Sequence, residues 1–121
     1  MSIPRAVTLA RTAFRSCLKE HRLDCITDLY HPKAVLKGTF ATKPVRGHEG
    51  IRKYFRKFFQ DVEDVKFDSS PVVFKRKDLI FVCGRYDFLF QDGQKVKATY
   101  QLVLDNGKIR SHFSALNECS S

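Results

Sequence analysis

The chain has 121 residues, 43% of them hydrophobic, and its 22 basic and 13 acidic side chains give a formal net charge of +9. This length leaves no room for a separate catalytic domain, so we expect a single domain over residues 1–121. The basic residues are spread along the chain, which argues against a dedicated nucleic-acid groove, and no apolar run approaches the roughly 20 residues that span a bilayer.

The first half of the chain has the apolar periodicity of three helices. The first helix begins near Ser2 and Pro4. Its apolar face consists of Val7, Ala10, Phe14, Cys17 and Leu18. A short second helix follows the capping residue Asp24 and ends before Pro32. The third begins at Gly47. Its apolar face consists of Ile51, Tyr54, Phe55, Phe58 and Phe59, and its basic face of Arg52, Lys53, Arg56 and Lys57.

The N-terminus and the cysteines bear on the compartment of the protein. Residues 1–19 contain basic residues but no acid, a composition that is also typical of an organellar transit peptide. We favour a structural helix there and expect the protein in the cytoplasm. The four cysteines, Cys17, Cys25, Cys83 and Cys119, lack the spacing of a zinc site, so we expect buried reduced thiols and neither a metal nor a cofactor.

The second half of the chain has the pattern of a β-meander. Predicted strands cover residues 34–40, 65–67, 72–75, 79–90, 95–104 and 108–116. The dipeptides Asp92-Gly93 and Asn106-Gly107 are strong hairpin signals because both accept positive φ. Helices followed by an antiparallel meander indicate an α+β domain.

Two-residue turns at both dipeptides predict which side chains share a face. Phe90 would lie opposite Lys95, and Tyr100 opposite Phe113. The face under the helices would then consist of Phe81, Cys83, Arg85, Asp87, Ala98, Tyr100, Leu102, Leu104, Ile109, Ser111 and Phe113. The opposite face would carry Ile80, Val82, Tyr86, Phe88, Phe90 and His112. So many aromatic side chains on an outer face predict a homodimer through the sheet.

Several of these segments resemble a known family. The run from Tyr30 to Phe59 contains a helix stop, a strand, a turn and an amphipathic helix in an order similar to the opening half of SnoaL-like domains. Those domains belong to the nuclear transport factor 2-like superfamily. The segment Gly84–Phe88 and both glycine turns are also similar, so the resemblance covers about Leu23 to Asn117. It implies a cone-shaped, curved antiparallel sheet wrapped around about three N-terminal helices, the cystatin-like fold.

The resemblance also implies candidate site residues. Enzymes of this family place a carboxylate in an apolar pocket, where desolvation makes it a usable general base. Asp87 is the candidate for that base, with Arg85 orienting it or binding an acidic substrate group. Tyr100 is expected to donate a hydrogen bond to a developing oxyanion. Candidate ligand-binding residues are Tyr54, Tyr30, His31, Phe113 and Asn117.

Each assignment has an alternative that the residues leave open. Arg85 and Asp87 are equally well explained as a structural ion pair, whereas for the tyrosines core packing is favoured over catalysis. The basic helix face suits an anionic surface or nucleic acid, but we favour an ordinary core-facing helix with a solvated basic face. We therefore expect a pocket for a small apolar ligand, with or without a carboxylate. The protein would bind this ligand or convert it by cofactor-free isomerisation, cyclisation or dehydration. The alternative is a non-catalytic oligomerisation or protein-binding module like the association domain of calcium/calmodulin-dependent kinase II. That domain is similar in its arginine-bearing strand, which Arg85 matches, and in a helix tyrosine, which Tyr54 matches.

Overall fold

A computed structural model describes residues 3–68 and 70–116, and for residues 3–6 and 9 the description is limited to the backbone. The helices are α1 (Ile3–Lys19), α2 (Leu23–Asp28) and α3 (Gly47–Asp61). The strands are β1 (Tyr30–Lys37), β2 (Val45–Arg46), β3 (Val62–Phe67), β4 (Val72–Arg76), β5 (Leu79–Phe90), β6 (Lys95–Asp105) and β7 (Lys108–Leu116). The helices and most of the strands lie where the periodicity predicts them, within a few residues at each end. The short strand β2 was not predicted, and β1 begins four residues earlier than expected, so that Pro32 lies within it.

The strands form one open, curved sheet in the order β2-β1-β7-β6-β5-β3, and β4 pairs with the other half of β5. Only the pairing of β1 with β7 is parallel among the described strands. The three helices cover the concave face, so the domain is an α+β cone, as predicted. We call the convex side, turned away from the helices, the outer face.

The core lies between the helices and the concave face of the sheet. On α3, Ile51 and Phe55 are fully buried, and the ring of Phe55 meets the ring of Phe14 from α1 edge-on at 6.0 Å. The apolar spacing on α3 aligns these side chains on one face. Burying a side chain as large as Phe55 contributes roughly 2–3 kcal/mol to folding. The packing holds α3 beside β1, which positions the functional site described below.

The hairpin between β5 and β6 has a three-residue loop where the sequence predicts two residues. The N–H of Gly93 donates to the carbonyl of Phe90 and the N–H of Phe90 to the carbonyl of Gln94, both at 2.9 Å. Gly93 has φ +90°, the left-handed conformation that follows a turn in this kind of loop. Because of the extra loop residue, Lys95 pairs with Leu89 and not with Phe90 as predicted.

This shift of one residue exchanges the two faces of β5. Tyr86 now pairs with Ala98, and both side chains are buried under the helices. Phe88 is buried on the same face, whereas Arg85 is exposed on the outer face. The predicted faces of β5 were therefore wrong, because side chains alternate across a strand and a slip of one reverses them all.

The hairpin between β6 and β7 has the predicted turn but not the predicted register along its whole length. Asn106 and Gly107 have φ +50° and +79°, and Leu104 pairs with Ile109 as expected. The pairing then shifts by one residue, so that Val103 lies opposite Ser111. Such a β-bulge leaves one residue of β7 unpaired and reverses the faces beyond it. His112 and Ser114 point inward as a result, and Phe113 points outward.

The prediction of reduced thiols was wrong for two of the four cysteines. Cys17 of α1 and Cys25 of α2 form a disulfide with a Cα–Cα distance of 5.4 Å, which is typical of such bonds. Cys83 is a free, half-buried thiol, and Cys119 lies outside the described residues. In the part of the chain that the structure describes, no helix is long and apolar enough to cross a membrane.

We expect the disulfide to be a measurable part of the stability. Closing a loop with a sequence separation of 8 residues restricts the unfolded chain, so a Cys17→Ser/Cys25→Ser variant should lose about 2–3 kcal/mol of unfolding free energy in urea. A Cys83→Ser variant is the control and should unfold close to the wild type. Alkylation of the unreduced protein that modified both Cys17 and Cys25 would contradict the bond.

Candidate functional site

A cleft of about 490 Å³ opens between α3, the connection from β1 to β2, and the end of β5. It is lined by Thr39, Phe40, Ala41, Val45, Gly50, Lys53, Tyr54, Lys57, Phe58, Asp61, Val62, Phe88 and Phe90. Most of these side chains are apolar, and the volume lies in the range of pockets that hold small organic ligands. The polar groups are segregated: Thr39 and Tyr54 carry hydroxyls, and Lys53, Lys57 and Asp61 carry charges on exposed side chains.

Tyr54 reaches the cleft because α3 packs closely against the chain after β1. Its hydroxyl end lies so near Gly38 that a Cβ there would collide with it, which explains the glycine at this position. Its ring meets Phe55 edge-on at 5.1 Å and stacks on Phe58 at 5.8 Å. Burial raises the pKa of Tyr54 to about 12, so the phenol stays protonated at neutral pH and can donate a hydrogen bond.

Behind the cleft, a row of hydrogen-bonded side chains crosses the concave face. Tyr30 Oη lies 2.8 Å from His112 Nδ1, and Tyr86 Oη lies 3.1 Å from His112 Nε2. Tyr86 also donates to Ser114 Oγ at 2.5 Å, and Ser114 Oγ lies 2.5 Å from Thr39 Oγ1. We call these five residues the polar row. Thr39 belongs to both the row and the cleft lining.

The protons of the polar row have one self-consistent order. Since Tyr86 donates its proton to Ser114, it must accept from His112 Nε2–H. A neutral imidazole carries one N–H, so its Nδ1 accepts from Tyr30. Ser114 can then donate to Thr39, and among the described hydrogen bonds its proton has no other acceptor. This order leaves the Thr39 proton available at the cleft.

Burial sets the protonation states along the row. Desolvation lowers the pKa of His112 to about 3, so the imidazole is neutral at physiological pH. Desolvation also raises the pKa of Tyr30 and of Tyr86 well above that of a free phenol. The row therefore holds no net charge, and it acts as a set of fixed donors and acceptors rather than as an acid or a base.

Comparison with known proteins identifies the scaffold. The model of the SnoaL-like domain family matches residues 10–112. The chain belongs to the SnoaL-like family. This confirms the SnoaL-like membership that the sequence motifs predicted. Curated protein sequences show no significant match to the chain.

Solved structures show the same fold as this SnoaL-like domain. A protein from Xanthomonas campestris, provisionally named as a calcium/calmodulin-dependent protein kinase II association domain, is 24% identical with a TM-score of 0.83, covering 95% of this chain and 88% of that chain. A provisionally named dehydratase of the nuclear transport factor 2-like family from Streptomyces avermitilis is 14% identical with a TM-score of 0.80, covering 97% of both chains. A provisionally named isomerase from Bacillus subtilis is 18% identical with a TM-score of 0.71, covering 97% and 90%.

The prediction that Arg85 and Asp87 lie inside this SnoaL-like domain was wrong. Both side chains are on the outer face, where Arg85 pairs in register with Thr99 and Asp87 with Lys97. The three-residue loop after Phe90 is the reason. A ligand held between the sheet and the helices cannot contact either side chain, and the two form no ion pair with each other among the described residues.

Tyr100 does face the helices, but it does not line the cleft. It lies beside a second, very small cavity of about 10 Å³ together with Arg11 and Phe67. Its hydroxyl is buried without a hydrogen-bond partner among the described residues, and desolvation raises its pKa to about 12. A role for Tyr100 as an oxyanion donor stays a prediction, and the structure does not bring it together with Tyr54.

The remaining predicted ligand-binding residues are scattered. Tyr30 is fully buried in the polar row and does not reach the cleft. His31 lies about 3.3 Å from the guanidinium of Arg110, away from the cleft lining. Phe113 is 42% exposed on the outer face, so its predicted inward position was wrong because of the bulge in β7. Asn117 lies outside the described residues.

Sequence reasoning missed most of the polar row, and placed His112 on the wrong face. One signal was available in β5. Val82, Tyr86 and Phe88 form a more apolar alternation than Cys83, Arg85 and Asp87, which favours the first set as the buried one. No comparable signal marks the bulge in β7. Among the described residues, no three His, Cys, Asp or Glu side chains cluster as a metal site would require.

The low pKa of His112 predicts a dependence of stability on pH. The unfolded chain takes up a proton near pH 6.5, whereas the folded protein does so only near pH 3. Stability from this group is therefore complete above pH 6.5 and is lost as the pH falls toward 3. Urea unfolding from about pH 7 to about pH 5 should show a slope of up to about 1.4 kcal/mol per pH unit.

A His112→Gln variant should have a flatter profile, since its amide does not titrate. The matched control is His21→Gln, which removes an exposed histidine and should leave the slope unchanged. An NMR titration in which His112 gained its proton near pH 6.5 in the folded protein would overturn the assignment.

Proposed function

We propose that this SnoaL-like domain binds a small, largely apolar molecule in the cleft beside α3. The observation that carries the proposal is a volume of about 490 Å³, lined mainly by apolar side chains, with two hydroxyl groups in its wall. A cleft that only reflected loose packing would not be expected to combine these features. Phe58, Phe88 and Phe90 supply large apolar surfaces, and such surfaces favour flat or aliphatic ligands over polar ones.

The hydroxyls of Thr39 and Tyr54 support recognition of an oxygen acceptor on the ligand. Burial keeps Tyr54 protonated, and the polar row leaves the Thr39 proton free to face the cleft. Successive hydrogen bonds polarise one another, so a donor at the end of a row is stronger than an isolated hydroxyl. A ketone, ester or carboxyl oxygen is the group that these two donors suit.

Conversion of the ligand is a narrower proposal than binding. The solved relatives named as a dehydratase and an isomerase have this fold, and both reactions use acid/base chemistry. With Asp87 outside, Asp61 at the exposed mouth is the one carboxylate among the described residues that line the cleft. Its side chain is exposed to solvent rather than enclosed in a pocket, so binding without turnover is the better supported function.

A second candidate function is association through the outer face. Val72, Phe74 and Phe113 are 66%, 49% and 42% exposed, and the ring of Phe74 stacks on Phe81 at 4.9 Å. The residues that originally suggested a dimer, Tyr86 and Phe88, are in the core, so the support for a homodimer now comes from these other side chains. The similar Xanthomonas campestris protein is named as an association domain, which agrees with this candidate.

Blocking the cleft tests the binding proposal. The uncharged dye phenylnaphthylamine should bind the wild type with a rise in fluorescence, and Ala41→Trp should weaken its binding at least about tenfold, because the indole occupies the lining. Ala115→Trp on the exposed outer face is the matched control and should bind normally. Equal binding by both variants and the wild type would place the dye elsewhere and refute the proposal.

Light scattering tests the homodimer. At tens of micromolar the wild type should have the mass of a dimer, and Phe74→Glu should yield a monomer because it places a charge in the apolar contact. The matched control is Phe40→Glu, which changes a phenylalanine that is 60% exposed at the cleft instead of on the outer face. A wild-type protein that stays monomeric at this concentration would eliminate the candidate.

A further inference from the structure

We propose that the ligand of the cleft is an amphipathic anion, with its apolar body inside and its acidic group held at the mouth by Lys53 and Lys57. This inference rests on the proposed binding function and adds the chemical class of the ligand. The acidic group would contact these two lysines, which line the cleft, and not Arg85, which the sequence suggested as its partner.

The positions of the two lysines follow from the geometry of α3. Lys53 and Lys57 are four residues apart and therefore lie one above the other on the same side of the helix. Both line the cleft together with Tyr54 and Phe58. A lysine stem covers apolar surface while its ammonium group stays in water, so the two side chains can extend an apolar cleft and end it with positive charge.

Neither lysine has a strong partner within the described residues. Lys53 Nζ lies 3.7 Å from Glu49 Oε1, but the two side chains are 70% and 89% exposed, and such surface pairs contribute little. Lys57 has no ion-pair partner in the described part of the chain. Arg52 on the same helix differs, since it pairs with Asp24 of α2 and does not line the cleft.

One acidic side chain and the C-terminal end of α3 disfavour an anion at the mouth. Asp61 also lines the mouth, and as the last residue of α3 it lies where the helix dipole is negative. Among the described residues that line the cleft, two lysines against one aspartate leave one net positive charge, and Glu49 beside Lys53 lies outside the lining. An anionic group is therefore favoured near Lys53 and Lys57, one to two turns before the end of the helix.

The other side of the mouth supports an amphipathic rather than a simply charged ligand. Phe40 is 60% exposed there, and its ring lies 6.0 Å from that of Phe90 inside the cleft. A large apolar side chain in water beside a cationic rim provides continuous apolar contact up to the point where an acidic group would emerge. Inorganic anions would use only the lysines and gain nothing from this surface.

Two dyes that differ by one acidic group test the ligand class. Anilinonaphthalene sulfonate and phenylnaphthylamine share their rings, and only the first carries a sulfonate. We expect the sulfonate to bind the wild type about fivefold tighter than the uncharged dye, and this preference to shrink in about 0.5 M NaCl. Lys53→Gln/Lys57→Gln should abolish the preference, so that the two dyes bind this variant with affinities within about twofold of each other.

The control variant is Arg56→Gln/Lys66→Gln, which removes the same amount of charge from exposed positions outside the cleft. It should keep the preference. The binding function stands if the uncharged dye binds and Ala41→Trp excludes it. In that case the ligand class is wrong if the sulfonate binds no tighter than the uncharged dye, or if the control variant loses as much of the preference for the sulfonate as the lysine variant does. If neither dye binds, or Ala41→Trp excludes neither, both proposals fail.

Discussion

The imidazole of His112 is the group on which the interior arrangement depends. It lies on β7 between a tyrosine of β1 and a tyrosine of β5, and all three are buried beneath the helices. A buried polar group without a partner costs several kcal/mol, so each strand must present its member of the row on the concave face. A slip of one residue in any of these strands would leave the others unpaired. The polar row thus ties the registers of three strands together in a core that is otherwise mostly apolar.

The cleft is a consequence of the same arrangement. The row reaches Thr39 just beyond β1, where Gly38 allows Tyr54 to approach the backbone and narrow the space. Aromatic side chains form one part of the cleft wall, two hydroxyl groups lie in another part, and exposed lysines lie at the mouth. This separation of apolar, hydrogen-bonding and charged groups is the reason for proposing a ligand with the same separation.

The SnoaL-like domain has two separate surfaces, the cleft and the outer face. The cleft lies between α3 and the sheet, whereas the exposed apolar side chains of β4 and β7 face away from the helices. The strand that carries Arg85 and Asp87 contributes to both surfaces, because Phe88 and Phe90 line the cleft and the alternate residues lie on the outer face. Association and ligand binding are therefore compatible in one molecule.

The sequence by itself determined the helices, most of the strands and the α+β class, since these follow from local periodicity and from turn residues that favour certain backbone angles. The family followed from the resemblance of its motifs to SnoaL-like domains. It also pointed to Tyr54, whose place on an apolar helix face needs no long-range information. It did not determine the faces of β5 and of the end of β7. The loop at Gly93 and the bulge after Ile109 each add one residue, and a dipeptide that favours a turn does not specify how many residues the loop contains. Only tertiary structure decided that His112 and Ser114 point inward and Asp87 outward, because that choice depends on which alternation best fills the space under the helices and satisfies its buried hydroxyls.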